Sequence, residues 1–156
     1  MEICLLAMWA TVHTFLDRGC RFPHMQGGDF MDAVQSREDY LENILILSKK
    51  KNVVRNVDIA LQMNYSRPSV SIAVKKLEKE GYVTVSEDGG ITLTSKGKKR
   101  AEQVYERHLV LTLILMEVGV EKNQASLDAC RVEHCLSDES FAKIREYYLK
   151  YIHDKK

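Results

Sequence analysis

The fold of this chain is decided by residues 66–93, which read SRPSVSIAVKKLEKEGYVTVSEDGGITL. Ser66 is a typical helix N-cap, and Pro68 falls in the first turn, where its missing N–H costs nothing. Apolar side chains then recur at helical spacing until Gly81. The inward positions are Val70, Ala73, Val74 and Leu77. Two alternating runs around a glycine-rich turn at residues 88–90 predict a β-hairpin directly after this helix.

Two more helices are predicted upstream of that stretch. The first has Ser36 as its expected N-cap, acidic residues in its first turn and a lysine run at residues 49–51. Its apolar face consists of Tyr40, Leu41, Ile44, Leu45 and Leu47. A second, shorter helix covers residues 56–63. Three helices followed by a hairpin predict a winged helix-turn-helix.

The third helix of such a module lies in the major groove of DNA. Its first turn in this chain is small and polar, which allows a close approach to base edges, and lysines follow. The candidate DNA-binding residues are Arg67, Pro68, Ser69, Ser71, Ile72, Lys75 and Lys76, with Lys98 and Lys99 as further candidates for phosphate contacts. Each lysine taken singly is also explained by a solvated helix face. The ordered series of elements favours binding of double-stranded DNA.

Composition places the chain among small globular proteins. It has 156 residues, of which 45% are hydrophobic and 29% charged, enough for one or two domains with their own cores. Residues 36–107 carry fourteen basic and ten acidic side chains, while both flanking segments are slightly acidic. This distribution is a weak electrostatic footprint of a polyanion-binding module.

The four cysteines do not follow the spacing of a disulfide framework. Reduced thiols fit a cytoplasmic protein better than a secreted one. The apolar segment at residues 3–16 is too short to span a bilayer, and no basic region precedes it. We therefore expect neither export nor membrane insertion.

Three regions are expected along the chain. Residues 1–35 show no consistent period and contain a glycine pair, which indicates a flexible extension. Two interpretations of it stand: translation starts at Met25 or Met31, or the segment is a genuine arm that packs on a partner. Residues 36–100 form the predicted winged helix-turn-helix, and residues 101–156 form an all-helical domain.

This second domain begins on a long helix that starts at Thr94 or Ser95 and ends before Gly119. Further helices are predicted at about residues 123–136 and 138–152. The second half of the long helix is very apolar for so small a domain. That composition favours a homodimer interface, because a protein that binds a two-fold symmetric operator must itself be a dimer.

A metal-binding face is predicted in residues 128–136, which read DACRVEHCL. Cys130, Glu133 and His134 stand at i, i+3 and i+4, so they point the same way on a helix. A thiolate, a carboxylate and an imidazole are competent ligands for a first-row divalent ion, but three donors rarely complete a site. The other candidate donors are Asp39, Glu42 and His108. Taken singly, Cys130 is also explained as a small buried hydrophobe and His108 as a core histidine.

Several motifs in fixed order resemble a known family. They are Arg37-Glu-Asp-Tyr-Leu-Glu-Asn-Ile, Pro68-Ser-Val-Ser, Val74-Lys-Lys-Leu-Glu-Lys-Glu-Gly, Leu93-Thr-Ser-Lys-Gly, Arg107-His and Ala129-Cys-Arg-Val-Glu-His-Cys-Leu-Ser-Asp. From about Ser36 onward the chain resembles the iron- and manganese-dependent repressors related to the diphtheria toxin repressor and the manganese transport regulator. The order of motifs is specific and covers roughly the last three quarters of the chain.

This resemblance implies a metal site residue by residue. Asp39 and Glu42 match the first-helix carboxylates of the manganese regulators, and His108 matches the histidine of the linker helix. Glu133 and His134 match the family directly. The six implied metal ligands are therefore these five residues together with Cys130.

Cys130 stands where the manganese regulators have a glutamate and is similar to the iron-type members, so the implied site is a hybrid. The ancillary site of the toxin-repressor type needs a carboxylate and a histidine where this chain has Thr112 and Ser126. We therefore expect no second site of that form. The resemblance also implies the short two-domain architecture, without the SH3-like third domain of longer members.

The function implied by the resemblance is metal-dependent transcriptional regulation of metal homeostasis, by a repressor with Mn²⁺ or Fe²⁺ as corepressor. Carboxylates and imidazole suit either ion, and the Irving–Williams order predicts that Zn²⁺ or Ni²⁺ also binds in vitro. A metal ion held by residues of both domains would restrict how the DNA-binding helices of the two subunits are placed relative to each other. The remaining arrangement would be the one that an operator requires. One ion or two ions per subunit are both compatible with six donors.

The alternative function is a metal-independent winged-helix regulator that senses a small molecule, or thiol oxidation through Cys130 and Cys135. It predicts that substitution of Asp39 or His134 leaves DNA binding intact. An enzyme is not expected, because the sequence shows no signature of a substrate pocket next to a general base.

Overall fold

The computed structural model describes the backbone of residues 31–151 and the side chains of residues 37–151. Over that range the elements are the helices α1 (Met31–Lys50), α2 (Asn56–Met63) and α3 (Arg67–Lys79), the strands β1 (Val83–Val85) and β2 (Ile91–Leu93), and the helices α4 (Ser95–Glu117), α5 (Lys122–Glu133) and α6 (Asp138–Tyr151). The predicted fold class is confirmed, since a winged helix-turn-helix precedes an all-helical unit. No described helix is long and apolar enough to cross a membrane.

Helix α1 begins earlier than the sequence pattern predicts. Its first residue is Met31, so Ser36 lies inside the helix and the prediction of an N-cap at Ser36 is wrong. The five residues before Ser36 contain neither glycine nor proline and include good helix formers, so nothing in them stops the helix. The predictions for residues 1–30 fall outside the described residues.

The winged-helix unit has one apolar core. Helices α1, α2 and α3, the hairpin and the first half of α4 all contribute side chains to it. Leu41, Ile44, Ile59 and Val70 are completely buried there. The predicted inward face of α3 is confirmed by the burial of Val70, Val74 and Leu77, with Ala73 packed against the same core.

Side-chain caps fix where two helices of this unit begin. The Ser66 hydroxyl accepts a hydrogen bond from the Ser69 backbone N–H at 3.2 Å, as the sequence predicted for α3. The Thr94 hydroxyl accepts one from the Gly97 N–H at 3.1 Å and starts α4. Between them, β1 and β2 pair antiparallel with Thr84 opposite Thr92.

Gly97 sets how closely α4 approaches the wing. A Cβ added at this position would lie 1.9 Å from the backbone carbonyl oxygen of Tyr82, so only glycine fits. The first turn of α4 is therefore pressed against the start of the hairpin. This contact fixes the direction in which α4 leaves the wing.

Helix α4 connects the two units. Its first half packs into the winged-helix core through Ala101, Tyr105 and Leu109. Its second half packs on α5 and α6, where Val110, Phe141 and Tyr148 form a smaller cluster. Helix α5 ends at Glu133, three residues before the predicted boundary, and His134 is its C-cap.

Candidate metal centre

Three helices bring the predicted metal ligands together. Helix α1 supplies Asp39 and Glu42, α4 supplies His108, and the end of α5 supplies Glu133 and His134. Glu42, His108 and Glu133 are each at most 2% exposed. Burying so many ionisable groups in an apolar surround is costly unless they are paired or hold a cation.

One group of donors spans the two units. His134 Nε2 lies 3.0 Å from Oδ1 of Asp39 and 3.2 Å from Oε1 of Glu133. Asp39 belongs to the winged-helix unit, whereas the other two residues belong to the helical unit. The three donor atoms all lie within 4.8 Å of one another.

A second group of donors lies beside the first and shares Glu133 with it. His108 Nδ1 lies 3.1 Å from Oε2 of Glu133, and a Glu42 carboxylate oxygen completes the group within the same 4.8 Å limit. The two oxygens of Glu133 therefore face different histidines. A carboxylate in that position has the geometry to bridge two neighbouring cation sites.

The donor spacing fits a divalent ion. Adjacent donors around an octahedral ion with bonds of about 2.1 Å are about 3.0 Å apart, and the three measured contacts are 3.0, 3.1 and 3.2 Å. Carboxylate and imidazole donors suit Mn²⁺ and Fe²⁺. The residues present therefore fit a metal centre.

Cys130 lies next to these groups but belongs to neither compact set. It is buried, and its side chain lies beside that of His134. Burial raises the pKa of the Cys130 thiol to about 11, although the contact with His134 works in the opposite direction. The sulfur is thus close enough to affect metal binding. In the metal-free protein the raised pKa favours the protonated thiol.

The electrostatics of the centre favour protonation of His134. Burial alone lowers the pKa of His134, but the acceptor groups around its ring, Asp39 first among them, raise it well above its ordinary value. Burial also raises the pKa of the Asp39 carboxyl, which the contact with His134 offsets only in part. A divalent cation would replace this proton as the positive charge between the carboxylates.

Two residues behind the centre, Glu38 and Arg100, were not predicted as site residues from the sequence. Glu38 accepts a hydrogen bond from His134 Nδ1 at 2.9 Å and one from Arg100 Nε at 3.0 Å. A usable signal was present, because Glu38 and Glu42 stand at i and i+4 and so share one face of α1. Arg100 carried no local signal, since its partner is 62 residues away.

Arg107 holds the turn that carries Glu133 and His134. Its Nη1 donates to the backbone carbonyl oxygens of Glu133 at 3.2 Å and of Leu136 at 2.9 Å, while Nη2 pairs with Asp138. The Glu133 carbonyl is at the C-terminal end of α5, where a cation is favourable, and Leu136 lies in the turn that follows. The guanidinium therefore fixes the backbone on which two candidate ligands stand.

Ser126 and Thr112, for which the resemblance implies the positions of the ancillary-site residues, both lie close to His108. The Ser126 hydroxyl lies 3.1 Å from Nε2 of His108. Thr112 is buried on α4, one turn after His108. Ser126 thus faces the side of the His108 ring that points away from Glu133 and gives that ring a second hydrogen-bonding partner.

The predicted DNA-binding residues lie on a different surface. Arg67, Pro68, Ser69, Lys75 and Lys76 are all exposed. Ile72 on the same helix is 71% exposed, which is unusual for an isoleucine, and Ser71 is half-buried. Lys98 and Lys99 are exposed in the first turns of α4. The outward face of α3 is thus accessible to a macromolecular partner.

The fold and the centre together define a class: winged-helix proteins with a buried carboxylate and histidine metal site between two units. Comparison with known families gives the same class. Residues 32–91 match the N-terminal DNA-binding domain of iron-dependent repressors, and residues 94–155 match their metal-binding and dimerisation domain. The chain therefore belongs to the iron-dependent repressor family, and the resemblance read from its motifs is confirmed.

Two curated relatives are similar over most of their length. An uncharacterised helix-turn-helix transcriptional regulator of Methanocaldococcus jannaschii is 35% identical over 119 residues, which are 75% of this chain and 95% of that protein. The transcriptional regulator MntR of Lysinibacillus sphaericus is 35% identical over 111 residues, 71% of this chain and 80% of that protein.

A solved structure supports the same assignment. The manganese regulator SloR superposes with a TM-score of 0.65 and 32% sequence identity over 72% of this chain. The chain spans only about half of that protein, namely 53% of its length. The prediction of a metal-dependent DNA-binding regulator is thus confirmed at the level of the family.

Proposed function

We propose that this protein is a cytoplasmic metal-responsive repressor of metal homeostasis genes, with Mn²⁺ or Fe²⁺ as the ion that promotes DNA binding. The observation that carries the proposal is the contact of Asp39 on α1 with His134 after α5, at 3.0 Å. Metal ligands on both sides of the boundary couple the two units. When an ion is bound, Asp39 and Glu42 hold the DNA-reading unit against Glu133 and His134.

The shared carboxylate supports two ions per subunit. Oε1 of Glu133 faces His134 at 3.2 Å, and Oε2 faces His108 at 3.1 Å. Each face has a further carboxylate, from Asp39 on one side and Glu42 on the other. We therefore expect two Mn²⁺ per chain in isothermal titration calorimetry, falling to one in a Glu42→Gln variant.

The choice of ion follows from the donor set. The five carboxylate or imidazole donors of the centre suit Mn²⁺ and Fe²⁺ equally well, and SloR is a manganese regulator. The neighbouring Cys130 adds a softer donor within reach of His134. Zn²⁺ and Ni²⁺ are expected to bind tightly in vitro, as they do at most sites of this kind, so affinity alone does not identify the physiological ion.

The DNA-binding surface is assigned to α3. Its exposed first turn, from Arg67 to Ile72, would contact bases, while Lys75 and Lys76 would contact phosphates. A homodimer would present two such helices to the halves of a palindromic operator. The family's dimerisation domain, matched by residues 94–155, supports this arrangement.

The proposal is tested by measuring DNA affinity with and without metal. A double-stranded binding sequence is first selected from a random library with the full chain in the presence of Mn²⁺. Its dissociation constant is then measured by fluorescence anisotropy with a chelator, with Mn²⁺ and, anaerobically, with Fe²⁺. We expect either ion to tighten binding at least tenfold, and equal affinity with the chelator would contradict the proposal.

A further inference from the structure

We infer that Glu38 and Arg100 form a supporting pair behind the metal centre, which fixes the orientation of His134 and leaves Nε2 as its metal-binding atom. Glu38 would be a positioning residue rather than a ligand. This inference rests on the proposed function, since it assigns two residues to the same centre. It goes beyond the family assignment because it concerns a residue pair outside the six implied ligands.

The two nitrogens of the His134 ring face different carboxylates. Nδ1 lies 2.9 Å from Oε2 of Glu38, and Nε2 lies 3.0 Å from Oδ1 of Asp39. A carboxylate only accepts hydrogen bonds, so Nδ1 carries the proton and donates to Glu38. Nε2 makes no hydrogen bond with the carboxylate oxygens near it, so it is the ring nitrogen left to offer a lone pair to a cation.

The two oxygens of the Glu38 carboxylate also have different partners. Oε1 accepts from Nε of Arg100 at 3.0 Å and is also paired with Nη2 of the same guanidinium. Oε2 is left for His134. Both oxygens of Glu38 therefore have a partner, and the contact with the guanidinium leaves Oε2 directed at the His134 ring.

The three side chains come from different parts of the fold. Glu38 stands on α1, Arg100 on the first turns of α4 close to the wing, and His134 at the C-terminal cap of α5. The carboxylate of Glu38 is not part of either compact donor group, although it is only 7% exposed. A histidine ligand commonly donates its other ring N–H to a carboxylate that is itself held by further hydrogen bonds. Glu38 and Arg100 have this arrangement.

A competing explanation is that Arg100 and Glu38 merely tie α4 to α1. The chain offers a matched control for that role in Arg145 and Glu106, an ion pair between α6 and α4 with a contact of 2.5 Å. Arg145 and Arg100 are similarly exposed, at 33% and 36% of the side chain. If the Glu38–Arg100 pair were purely structural, breaking either it or the Glu106–Arg145 pair would change the unfolding temperature and leave the metal affinity unchanged.

The test uses the full-length protein with the variants Glu38→Ala, Glu38→Gln and Arg145→Met. Mn²⁺ affinity is measured by competition with a fluorescent chelator. We expect Glu38→Ala to lose about 10- to 100-fold in affinity, the usual cost of removing such an outer partner. Glu38→Gln keeps an acceptor oxygen toward Nδ1 and should stay closer to wild type, and Arg145→Met should bind Mn²⁺ as wild type does.

A second readout does not depend on metal. Solvent exchange of the Nδ1 proton of His134 is measured by nitrogen-15 NMR in the metal-free protein. Slow exchange in wild type and faster exchange in Glu38→Ala support the inference, while unchanged exchange and unchanged Mn²⁺ affinity in Glu38→Ala overturn it. If wild type itself fails to bind Mn²⁺ and Fe²⁺, the proposed function fails, and the exchange measurement still decides whether Glu38 holds the ring.

Discussion

The DNA-reading face of α3 and the metal centre differ in how they are built. The α3 face is a single continuous segment, residues 67–76, whose outward side chains are mostly exposed. The centre gathers Asp39, His108 and Glu133 from three distant parts of the chain, and its key atoms are buried. A surface made from one helix can change without altering the rest of the molecule. A centre made from three helices can couple the units that those helices belong to.

The largest expected effect comes from the residue that the two donor groups share. Glu133→Gln keeps the shape of the side chain but removes the charge between His108 and His134. Mn²⁺ affinity should fall by more than about 100-fold, beyond the usual cost of changing an outer partner. Calorimetric titration measures this loss.

The control for that substitution is Glu139→Gln, which removes a carboxylate from the exposed start of α6. It should leave Mn²⁺ binding unchanged. An equal loss in both variants would mean that general surface charge, and not the buried carboxylate, attracts the ion.

The pH dependence of metal binding should also be steep. The raised pKa of His134 and the pKa of about 11 for Cys130 mean that both groups are protonated at neutral pH. Metal binding requires a neutral histidine and a thiolate, so it displaces a proton from each group. For each displaced proton, the metal affinity should become about tenfold weaker when the pH falls by one unit. With both groups as ligands, the slope should be about 100-fold per pH unit.

Cys130→Ser is the matched variant for this titration. It removes one of the two protons, so the slope should drop to about tenfold per pH unit. Chelator competition between pH 6.5 and 8 measures both slopes. An unchanged slope in the variant would show that the sulfur stays outside the coordination sphere.

Substitutions on the exposed face of α3 should change DNA affinity without changing metal binding at the centre. Arg67→Ala on the exposed first turn of α3 should weaken binding to the selected DNA by about tenfold to 100-fold, as expected for a base-contacting arginine. Mn²⁺ affinity should not change, because no candidate ligand lies on α3. Lys143→Ala on the exposed face of α6 is the control, and anisotropy titrations compare the two.

The smallest expected effect concerns ion preference. Cys130→Glu replaces a soft donor with a hard one next to His134, so the ratio of Mn²⁺ to Zn²⁺ affinity should rise several-fold. Competition titrations with the two ions measure the ratio. An unaltered ratio would assign Cys130 to packing alone.

The sequence predicted the winged helix well because its signals are local. The cap at Ser66, the inward positions of α3 and the start of α4 at Thr94 all depend on neighbours within a few residues. The start of α1 was placed wrongly because Ser36 is as compatible with a helix interior as with a cap when helix formers precede it.

The metal centre was only partly predictable. Spacing and resemblance indicated all six candidate ligands, and the structure groups five of them tightly. The contact of Glu133 with His108, 25 residues away in sequence, and that of Glu38 with Arg100, 62 residues away, depend on how separate helices pack, which no local pattern encodes.

The central claim is that metal couples the two units through ligands on both. The most direct test compares wild type with the double variant Asp39→Asn/Glu42→Gln, which removes the charge of both donors on the DNA-binding unit, by anisotropy with the selected DNA across a range of free Mn²⁺. Wild type should bind at least tenfold more tightly with Mn²⁺ than with a chelator, and the variant should show no such gain. A wild-type affinity that is the same with and without Mn²⁺ would contradict the account.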